Sequence, residues 1–487
     1  MKENTPDLNG DLITEMAKNL AIETLSPLIS ELRPLISRFE SNNHKLAIVG
    51  GPVRDAILGR NSGDLDFTTD ALPDQTKKIL TGWADAIWEV GAEFGAIAAR
   101  KGDYELEITT YRSEIYRGDS RKPTVEYGTS IEGDLIRRDF TINAMALELT
   151  GPTPSFIDLH GGAIDLAKRL IRTPSKPELS FSDDPLRMLR AIRFASQLNF
   201  TIEDGTYEAV LAMKDRLSII SAERIREEFN KIILANTPRI GLTLLVDSGL
   251  AEIFIPELPL LRLEIDEHHH HKDVYEHTLK VLEQAIELEE RVGGKSLTMR
   301  LAALLHDIGK PRTRELLPGG GVAFHHHEVV GARMTKFRMK EMKYSKELIE
   351  NVSGLVYLHL RFHGYSQGEW SDSAVRRYVR DAGDLLEFLH VLTRADCTTR
   401  NKKKAEALAA SYSSLENRIA QLREEEELNS IRPDLNGEEI MEILEIKPSR
   451  TVGEAYNYLL ELRLENGPLG KERAVQELLR WWEAQEK

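Results

Sequence analysis

Residues 50–67 (G-G-P-V-R-D-A-I-L-G-R-N-S-G-D-L-D-F) constrain the fold of this chain most, because they join a predicted buried strand to a pair of closely spaced carboxylates. The apolar run just upstream, at 45–49 (K-L-A-I-V), is typical of a short buried strand. Residues i and i+2 of a strand point to the same face. We therefore expect the carboxylates of Asp64 and Asp66 to converge on one point, where their hard oxygens suit Mg²⁺.

The glycine-led turn before these carboxylates predicts a phosphate site. Gly50 and Gly51 allow the backbone to approach a phosphate closely, and Arg54 follows at the start of a predicted helix, where an anion is stabilised. A single D-x-D is usually a solvated loop feature, but its combination with a strand, two glycines and an arginine is more specific. The segment thus predicts that metal and a nucleoside triphosphate are held together.

Composition and charge limit the class of protein. The chain has 487 residues, enough for three or more domains. It has no apolar run long enough to span a membrane and no apolar signal core after Met1. Cys397 is its single cysteine, which excludes an intrachain disulfide and predicts a cytoplasmic location. The net charge of −15 argues against nucleic-acid binding, although basic patches at 137–138 and 400–404 are able to hold a structured RNA.

The hydrophobic pattern changes character along the chain. Residues 1–43 have a helical pattern, residues 44–175 alternate short strands with helices, and almost everything after residue 180 has helical periodicity. In the strand predicted at 104–112, Leu106 and Ile108 face one way and Glu107 the other. Glu107 is our candidate for the third carboxylate of a two-metal site; a glutamate that only faces solvent is the alternative. Farther on, Arg137 and Arg138 precede an apolar strand predicted at 140–146.

A helix predicted within residues 181–194 (F-S-D-D-P-L-R-M-L-R-A-I-R-F) combines apolar residues with three arginines. Ser182 or Asp183 is its predicted N-cap. Arg187, Arg190 and Arg193 recur every third residue of a helix that is apolar enough to be buried. Buried guanidinium groups need an anion, and a triphosphate and a base edge would supply such partners. Salt bridges within the protein are the alternative.

Asp184 and Arg187 predict a filter for the base of the nucleotide. Cytosine and adenine both place an exocyclic amino donor beside a ring-nitrogen acceptor, so that an aspartate and an arginine complement either base. Uracil and guanine reverse this polarity and would leave both side chains unpaired. The pair therefore favours CTP and ATP over UTP and GTP.

Histidines and aspartates in the helical region predict a second metal site. His277 lies in V-Y-E-H-T-L, His306 and Asp307 end an apolar helix in L-L-H-D-I-G-K-P, and Asp396 lies in T-R-A-D-C. Such ligands suit a transition metal better than magnesium. More histidines follow His306 along the chain, at 325–327 and 359. Retention of these residues for packing alone is the alternative.

Five ordered motifs resemble those of the class II nucleotidyltransferases, the family of bacterial tRNA CCA-adding enzymes and bacterial poly(A) polymerases, and the histidine pattern resembles an HD domain. The five motifs lie at residues 50–67, 137–144 (R-R-D-F-T-I-N-A), 157–172, 181–194 and 221–229. The resemblance covers about residues 44–400. It implies an α+β fold, in which a polymerase-beta-like head with a mixed sheet and helices precedes an all-helical neck and body that includes the HD domain. The predicted segments are a helical N-terminal extension (1–43), the head (44–175), a neck with the base-selecting helix (176–262), the HD domain (263–404) and a helical C-terminal region (405–487).

The resemblance also implies an activity and its site residues. The expected reaction adds C, C and A to the 3′ end of tRNA from CTP and ATP and releases pyrophosphate, with Mg²⁺ in the head and a transition metal in the HD domain. Alternatives are a poly(A) polymerase, an enzyme that adds only part of CCA, an HD phosphohydrolase whose head only binds nucleotide, or a non-catalytic RNA-binding protein. Oligomeric state is left open. The expected site residues are the catalytic Asp64, Asp66 and Glu107; the nucleotide-binding Gly50, Gly51, Arg54, Arg138, Asp184, Arg187, Arg190 and Arg193; and the metal ligands Asp64, Asp66, His277, His306, Asp307 and Asp396.

Overall fold

A computed structural model describes residues 8–60, 63, 65–90, 95–115, 124–128, 130–262, 273–318, 321–362, 371–399, 401–425 and 431–485. The predicted metal ligand Asp64 lies outside the described residues. The chain forms two compact units, Met1–Phe254 and Ile255–Lys487. No helix in the described ranges combines the length and the apolar character needed to cross a bilayer.

The first unit begins with two helices, continues as an α/β region and ends in helices. Its elements are α1 (Leu8–Glu31), α2 (Arg33–Ser41), β1 (Leu46–Val49), α3 (Gly51–Ile57), β2 (Leu65–Thr69), α4 (Pro73–Leu80), β3 (Ala86–Val90), β4 (Ala96–Lys101), β5 (Tyr104–Thr110), β6 (Arg112–Ile115), β7 (Thr124–Tyr127), α5 (Ile131–Ile136), β8 (Met145–Glu148), β9 (Ser155–Asp158), α6 (Gly162–Ala167), β10 (Leu170–Ile171), α7 (Pro177–Asp183), α8 (Leu186–Leu198), β11 (Thr201–Ile202), α9 (Asp204–Met213), α10 (Ala222–Ile233), α11 (Pro238–Asp247) and α12 (Ala251–Phe254).

A seven-stranded mixed sheet organises the head, in the order β3-β4-β5-β2-β1-β8-β9. β2 and β5 pair in parallel, whereas the other neighbours in this sheet pair antiparallel. All four residues of β1 are buried, as its apolar run predicts. The prediction of a mixed-sheet head followed by a mainly helical region is confirmed.

The strand predicted at 140–146 is wrong over its first half. Thr141–Asn143 form a 3₁₀ turn, and β8 begins only at Met145. The side chain of Asp139 accepts a hydrogen bond from the backbone N–H of Phe140 (2.8 Å), which favours a turn at this point. The apolar alternation of these residues reflects burial inside a turn.

The arginine-rich helix also begins later than predicted. Residues up to Asp183 belong to α7, Asp184 is extended, and α8 starts at Leu186. The backbone N–H of Leu186 donates to Asp184 Oδ1 (3.0 Å), so Asp184 supplies the contact that we assigned to Ser182 or Asp183. The burial predicted for this helix is confirmed, since most residues of α8 are buried.

The second unit is mainly helical. Its elements are α13 (Val274–Glu287), α14 (Leu297–Leu305), β12 (Arg314–Leu317), β13 (Gly321–Phe324), α15 (His327–Glu341), α16 (Lys346–Leu358), α17 (Asp372–Ala382), α18 (Leu386–Ala395), α19 (Lys402–Glu425), α20 (Gly437–Leu444), α21 (Arg450–Asn466) and α22 (Lys471–Gln485). The hairpin β12–β13 corrects the expectation of an all-helical body. The last three helices pack around their own apolar core, which includes Ile440, Leu459 and Leu478.

Candidate functional site

The parallel pairing of β2 and β5 places two candidate catalytic carboxylates side by side. Asp66 and Glu107 are register partners, and registered residues of a parallel pair project to the same face of the sheet. Leu65 and Leu106 are buried on the opposite face, while Asp66 is half-buried and Glu107 is exposed. The alternation predicted for β5 is confirmed. Oxygen donors on adjacent strands fit a divalent cation.

The turn between β1 and α3 brings the backbone close to an arginine. Gly50 adopts a φ of +78°, a conformation that favours glycine, and a Cβ at this position would lie 3.0 Å from Arg138 Nη1. Gly51 begins α3, and Arg54 lies buried in the first turn of that helix. The predicted strand, turn and helix are confirmed, and the arginines at 54 and 138 are both near the turn.

A chain of hydrogen bonds joins this turn to α8. Arg54 Nη1 donates to Asn143 Oδ1 (2.7 Å), and Asn143 Nδ2 donates to Asp139 Oδ1 (3.0 Å). The other oxygen of Asp139 accepts from Arg190 Nε (2.8 Å). Burial opposes ionisation of Asp139, but the charge of Arg190 and the hydrogen bond from Asn143 hold its pKa below the ordinary value. Asp139 and Asn143 lie in the segment R-R-D-F-T-I-N-A at residues 137–144, but no role was predicted for either.

Asp134 holds the two adjacent arginines at the end of α5. Its buried carboxylate lies 2.6 Å from Arg137 Nη2 and 3.1 Å from Arg138 Nη2. Burial would raise the pKa of Asp134, yet Arg138 and Arg137 lower it. The carboxylate therefore positions Arg138 beside Gly50, where we predicted a contact with nucleotide.

The arginines of α8 find anions within the protein. Arg190 pairs with Asp139, and the Nε of Arg193 lies 3.2 Å from Glu228 of α10. Burial lowers the pKa of Arg193 to about 10. From the burial of these arginines we had inferred that a triphosphate neutralises their charge. In the structure Asp139 and Glu228 neutralise it instead, as the alternative of salt bridges within the protein predicts. Contact of Arg190 and Arg193 with nucleotide stays a prediction.

The predicted base filter lies at the junction of α7 and α8. Asp184 Oδ2 lies 3.0 Å from Arg224 Nη2, a residue of α10 that was not predicted to contribute. Arg187 Nη1 donates to Ser180 Oγ (2.8 Å), and Nη2 donates to the carbonyl of Arg137. The hydrogen bond to residue 137 links α8 to the loop that carries Arg138. Both filter residues are half-buried, so that they are held in place and remain accessible.

The second unit brings the predicted histidines and aspartates together. His277 Nε2 lies 3.0 Å from Asp396 Oδ1, 3.4 Å from Asp307 Oδ2 and 3.4 Å from His306 Nε2. His306 Nε2 lies 3.2 Å from Asp307 Oδ2. The ligand atoms of His277, His306 and Asp396 lie within 4.8 Å of one another, a spacing that suits a metal ion. The sequence pattern thus identifies residues that converge in space.

Two further histidines complete this cluster. His327 Nε2 lies 3.3 Å and His359 Nε2 3.9 Å from Asp307 Oδ1. Burial lowers the pKa of His359 to about 3, so that its imidazole is neutral at physiological pH, as a metal ligand must be. Burial also opposes the charges of Asp307 and His306. Even so, His306 and Lys310 hold the pKa of Asp307 well below its usual value, and Asp307 raises that of His306. No ligand role was predicted for His327 or His359.

Gly309 lies in the turn that follows His306 and Asp307, and its backbone packs closely against the start of α15. Replacement of Gly309 by alanine should therefore destabilise the second unit. The added Cβ would lie 2.3 Å from the carbonyl oxygen of His327 and 2.7 Å from the backbone nitrogen of Gly331. We expect a loss of about 1–3 kcal/mol, typical of overpacking, in the free energy of unfolding measured with urea. The control is Gly453→Ala, in α21, where a Cβ would meet nothing within 4 Å. Equal stability of the two variants would contradict the close approach.

Comparison with known proteins agrees with this arrangement. Family models match the poly(A) polymerase head domain at residues 46–172, a probable RNA- and SrmB-binding site of polymerase A at 199–261, and the HD domain at 274–401. A head sheet with paired carboxylates, together with an HD cluster, defines a nucleotidyltransferase-type protein with a metal-binding helical domain. Head and HD domain both indicate use of divalent metal.

A relative from Deinococcus radiodurans, named A-adding tRNA nucleotidyltransferase, is 31% identical over 446 residues, which cover 90% of this chain and 95% of the relative. The chain therefore belongs to the tRNA nucleotidyltransferase and poly(A) polymerase family. A CCA-adding enzyme from Streptococcus gordonii is 38% identical over 249 residues, which cover 51% of this chain but only 60% of that relative. The CCA-adding enzyme of Bacillus stearothermophilus in complex with CTP has a similar fold, with a TM-score of 0.68 and 22% identity over 95% of this chain and 98% of that structure.

Proposed function

We propose that this protein adds C, C and A to the 3′ end of tRNA, using CTP and ATP and releasing pyrophosphate. The observation that carries the proposal is the register of Asp66 with Glu107, on strands next to the glycine turn and Arg54. Relatives named CCA-adding enzymes support the choice of reaction. The single cysteine and the tRNA substrate support a cytoplasmic location.

Asp66 and Glu107, together with Asp64, would hold Mg²⁺ in the head. The donor set fits, because carboxylate oxygens are the ligands that magnesium prefers and Asp66 is accessible. When bound, two such ions activate the attacking hydroxyl and stabilise the leaving pyrophosphate. The assignment of these three residues as ligands rests on their motif and, for Asp66 and Glu107, on their shared face.

The residues around the turn would place the triphosphate for in-line attack. The 3′-hydroxyl oxygen of the RNA forms a bond to the α-phosphorus while the bond from that phosphorus to the oxygen bridging to the β-phosphorus breaks. Pyrophosphate leaves with the electron pair, and the hydroxyl proton passes to solvent. Gly50 permits backbone approach, and Arg54 and Arg138 would neutralise charge that develops on the phosphates. Arg190 would assist mainly by fixing Asp139, which holds Asn143, the acceptor for Arg54.

Asp184 and Arg187 would select the base. Asp184 would accept from the amino group of cytosine or adenine, and Arg187 would donate to the neighbouring ring nitrogen. Each would do so beside its present partner, because a carboxylate oxygen accepts more than one hydrogen bond and a guanidinium has several N–H donors. Arg224 would orient the Asp184 carboxylate.

Arg187→Ala should relax base selection. We expect the unmodified protein to reject UTP and GTP by about a hundredfold or more relative to CTP and ATP. In Arg187→Ala this factor should fall to about tenfold or less, because the variant has no arginine donor that a uracil or guanine ring N–H would leave unpaired. Single-turnover incorporation of each triphosphate into trimmed tRNA measures the effect. Arg100→Ala, which removes an exposed arginine on β4 of the same unit, is the control. Unchanged rejection in Arg187→Ala would refute the filter.

Addition of only the terminal A is the second candidate, because the relative that matches along 90% of this chain is named an A-adding enzyme. Two substrates distinguish the candidates: tRNA that lacks the whole CCA end, and tRNA that lacks only the final A. Incorporation of CTP and then ATP into the first, with growth stopping at CCA, supports our proposal. Incorporation of ATP into the second alone supports A addition, and long A tails would identify a poly(A) polymerase.

A further inference from the structure

The aromatic ring of Phe194 lies among three arginines of the first unit. The Cζ atom of Arg193 lies 4.2 Å from the centre of this ring, that of Arg54 5.3 Å and that of Arg190 5.8 Å. Phe194 is 6% exposed, so that water screens these contacts only weakly. Arg54 belongs to α3, whereas the other residues belong to α8. The ring therefore connects α8 with the helix that follows the glycine turn.

The three guanidinium groups are close enough to influence one another. Burial is the main cause that lowers the pKa of Arg193 to about 10, and the charges of Arg190 and Arg54 contribute to the shift. Converging positive charges repel unless negative potential lies nearby. Glu228, 3.2 Å from Arg193 Nε, supplies part of it. The face of an aromatic ring also carries negative potential and attracts a cation, so Phe194 stabilises a place where positive charges meet.

Arg54 lies directly at the glycine turn. A Cβ at Gly51 would lie 3.8 Å from Arg54 Nη2. The guanidinium donates to Asp55 through Nε and Nη2, both at 2.9 Å, and to Asn143 through Nη1 (2.7 Å). Phe194 adds a contact that depends on the electrostatics of its ring rather than on hydrogen bonding. Weakening that contact should leave the guanidinium less firmly placed at the turn.

The ring of Phe194 is itself held by a second aromatic residue. It packs against Phe140 with the ring centroids 5.7 Å apart and the planes at 84°. Such an edge-to-face arrangement is favoured by the charge distribution of aromatic rings. Phe140 immediately precedes the 3₁₀ turn that contains Asn143, the acceptor for Arg54. Phe194 therefore has a fixed position relative to the residues that hold Arg54.

We propose that Phe194 is a positioning residue for triphosphate binding, which holds the guanidinium of Arg54 at the glycine turn through a cation–π contact. The inference rests on the proposed function, because it takes this turn as the triphosphate site. Phe194 is buried and acts through Arg54 rather than on the substrate. The negative potential of the ring, and not only its shape, then sets the affinity for the phosphates. Choice of the base is left to Asp184 and Arg187.

Fluorinated phenylalanines at position 194 test the proposal. Each fluorine weakens the negative potential of the ring face while the size of the side chain changes little. Affinity for inorganic tripolyphosphate, measured by calorimetry with Mg²⁺ and without RNA, should fall stepwise, by about three- to tenfold for a trifluorinated ring. Affinity for CTP should fall by the same factor. The control is the same series at Phe39, a fully buried residue of α2, which should change neither affinity. Constant affinity along the series at 194 would overturn the proposal.

An Arg54→Met background shows whether the effect passes through Arg54. Methionine keeps an unbranched side chain without the charge, so in this background tripolyphosphate affinity should no longer depend on fluorination at 194. A dependence that persists would overturn the assignment to Arg54. The proposed reaction fails separately: a protein that binds tripolyphosphate with the expected dependence on fluorination, yet incorporates no nucleotide into trimmed tRNA, would overturn the proposed function and leave the role of Phe194 supported.

Discussion

Asp66→Asn should reduce nucleotide incorporation by about a thousandfold or more if Asp66 binds metal as we propose. Loss of a metal ligand removes several kcal/mol of transition-state stabilisation, and each 1.4 kcal/mol is about tenfold in rate. The substitution keeps the shape of the side chain and removes its charge. Asp66 is half-buried on the face that it shares with Glu107. Single-turnover assays with trimmed tRNA and CTP measure the effect.

The control for this prediction is Asp74→Asn, which removes a carboxylate on α4 whose side chain is 89% exposed. Its incorporation rate should be unchanged. Thermal unfolding should show that Asp66→Asn folds as the unmodified protein does. Retention of more than about a tenth of the rate would exclude this carboxylate from metal binding in the transition state.

Asp139→Asn should destabilise the first unit by about 1–3 kcal/mol, since it removes the buried carboxylate that accepts from Arg190. The loss is moderated because the Arg190 side chain is 34% exposed and keeps Glu228 at 3.8 Å. The loss should appear in urea unfolding and as faster hydrogen exchange in peptides from α8 and β8. Asp103→Asn, in the exposed turn between β4 and β5, is the control. The double variant Asp139→Asn/Arg190→Met should recover part of the loss, because it also removes the guanidinium that lost the Asp139 carboxylate.

The same pair predicts a pH dependence. The pKa of Asp139 is held below its ordinary value by Arg190 and Asn143 in spite of burial. Its ionised form therefore adds stability above the pKa of an unfolded aspartate, about 4, and this contribution is lost as the pH falls toward the lower folded value. The stability gap between the unmodified protein and Asp139→Asn should be constant near neutral pH and narrow below about pH 4. A gap that widens on acidification would contradict the ion pair.

Local patterns predicted the elements that carry the head site. Strand alternation placed Glu107 on the polar face of β5, and the glycine turn before Arg54 predicted the end of β1 and the start of α3. The pairing of Asp66 with Glu107 could not be derived, because strand order in a sheet depends on contacts that are distant in sequence. The error at Phe140 has a related cause, since a buried turn and a buried strand share the same apolar pattern.

The sequence predicted which charged side chains are buried, but it did not predict which residues pair with them. The apolar sequence around Arg190 and Arg193 correctly predicted a buried helix, but Asp139 and Glu228 come from other elements. His327 illustrates the same limit, because nothing in the run 325–327 indicates which histidine turns inward. That choice follows from the start of α15 and from its contact with Gly309.

The backbone pairing between β2 and β5 has a practical use in protein engineering. Because backbone pairing fixes the spacing of Asp66 and Glu107, the tip between β4 and β5 should accept inserted peptides or a dye-bearing residue without altering that spacing. Asp103, at this tip, is exposed, whereas Gly102 has a φ of +56°, where a residue with a side chain would be strained. A dye attached at residue 103 would therefore label the head while leaving its paired carboxylates in place.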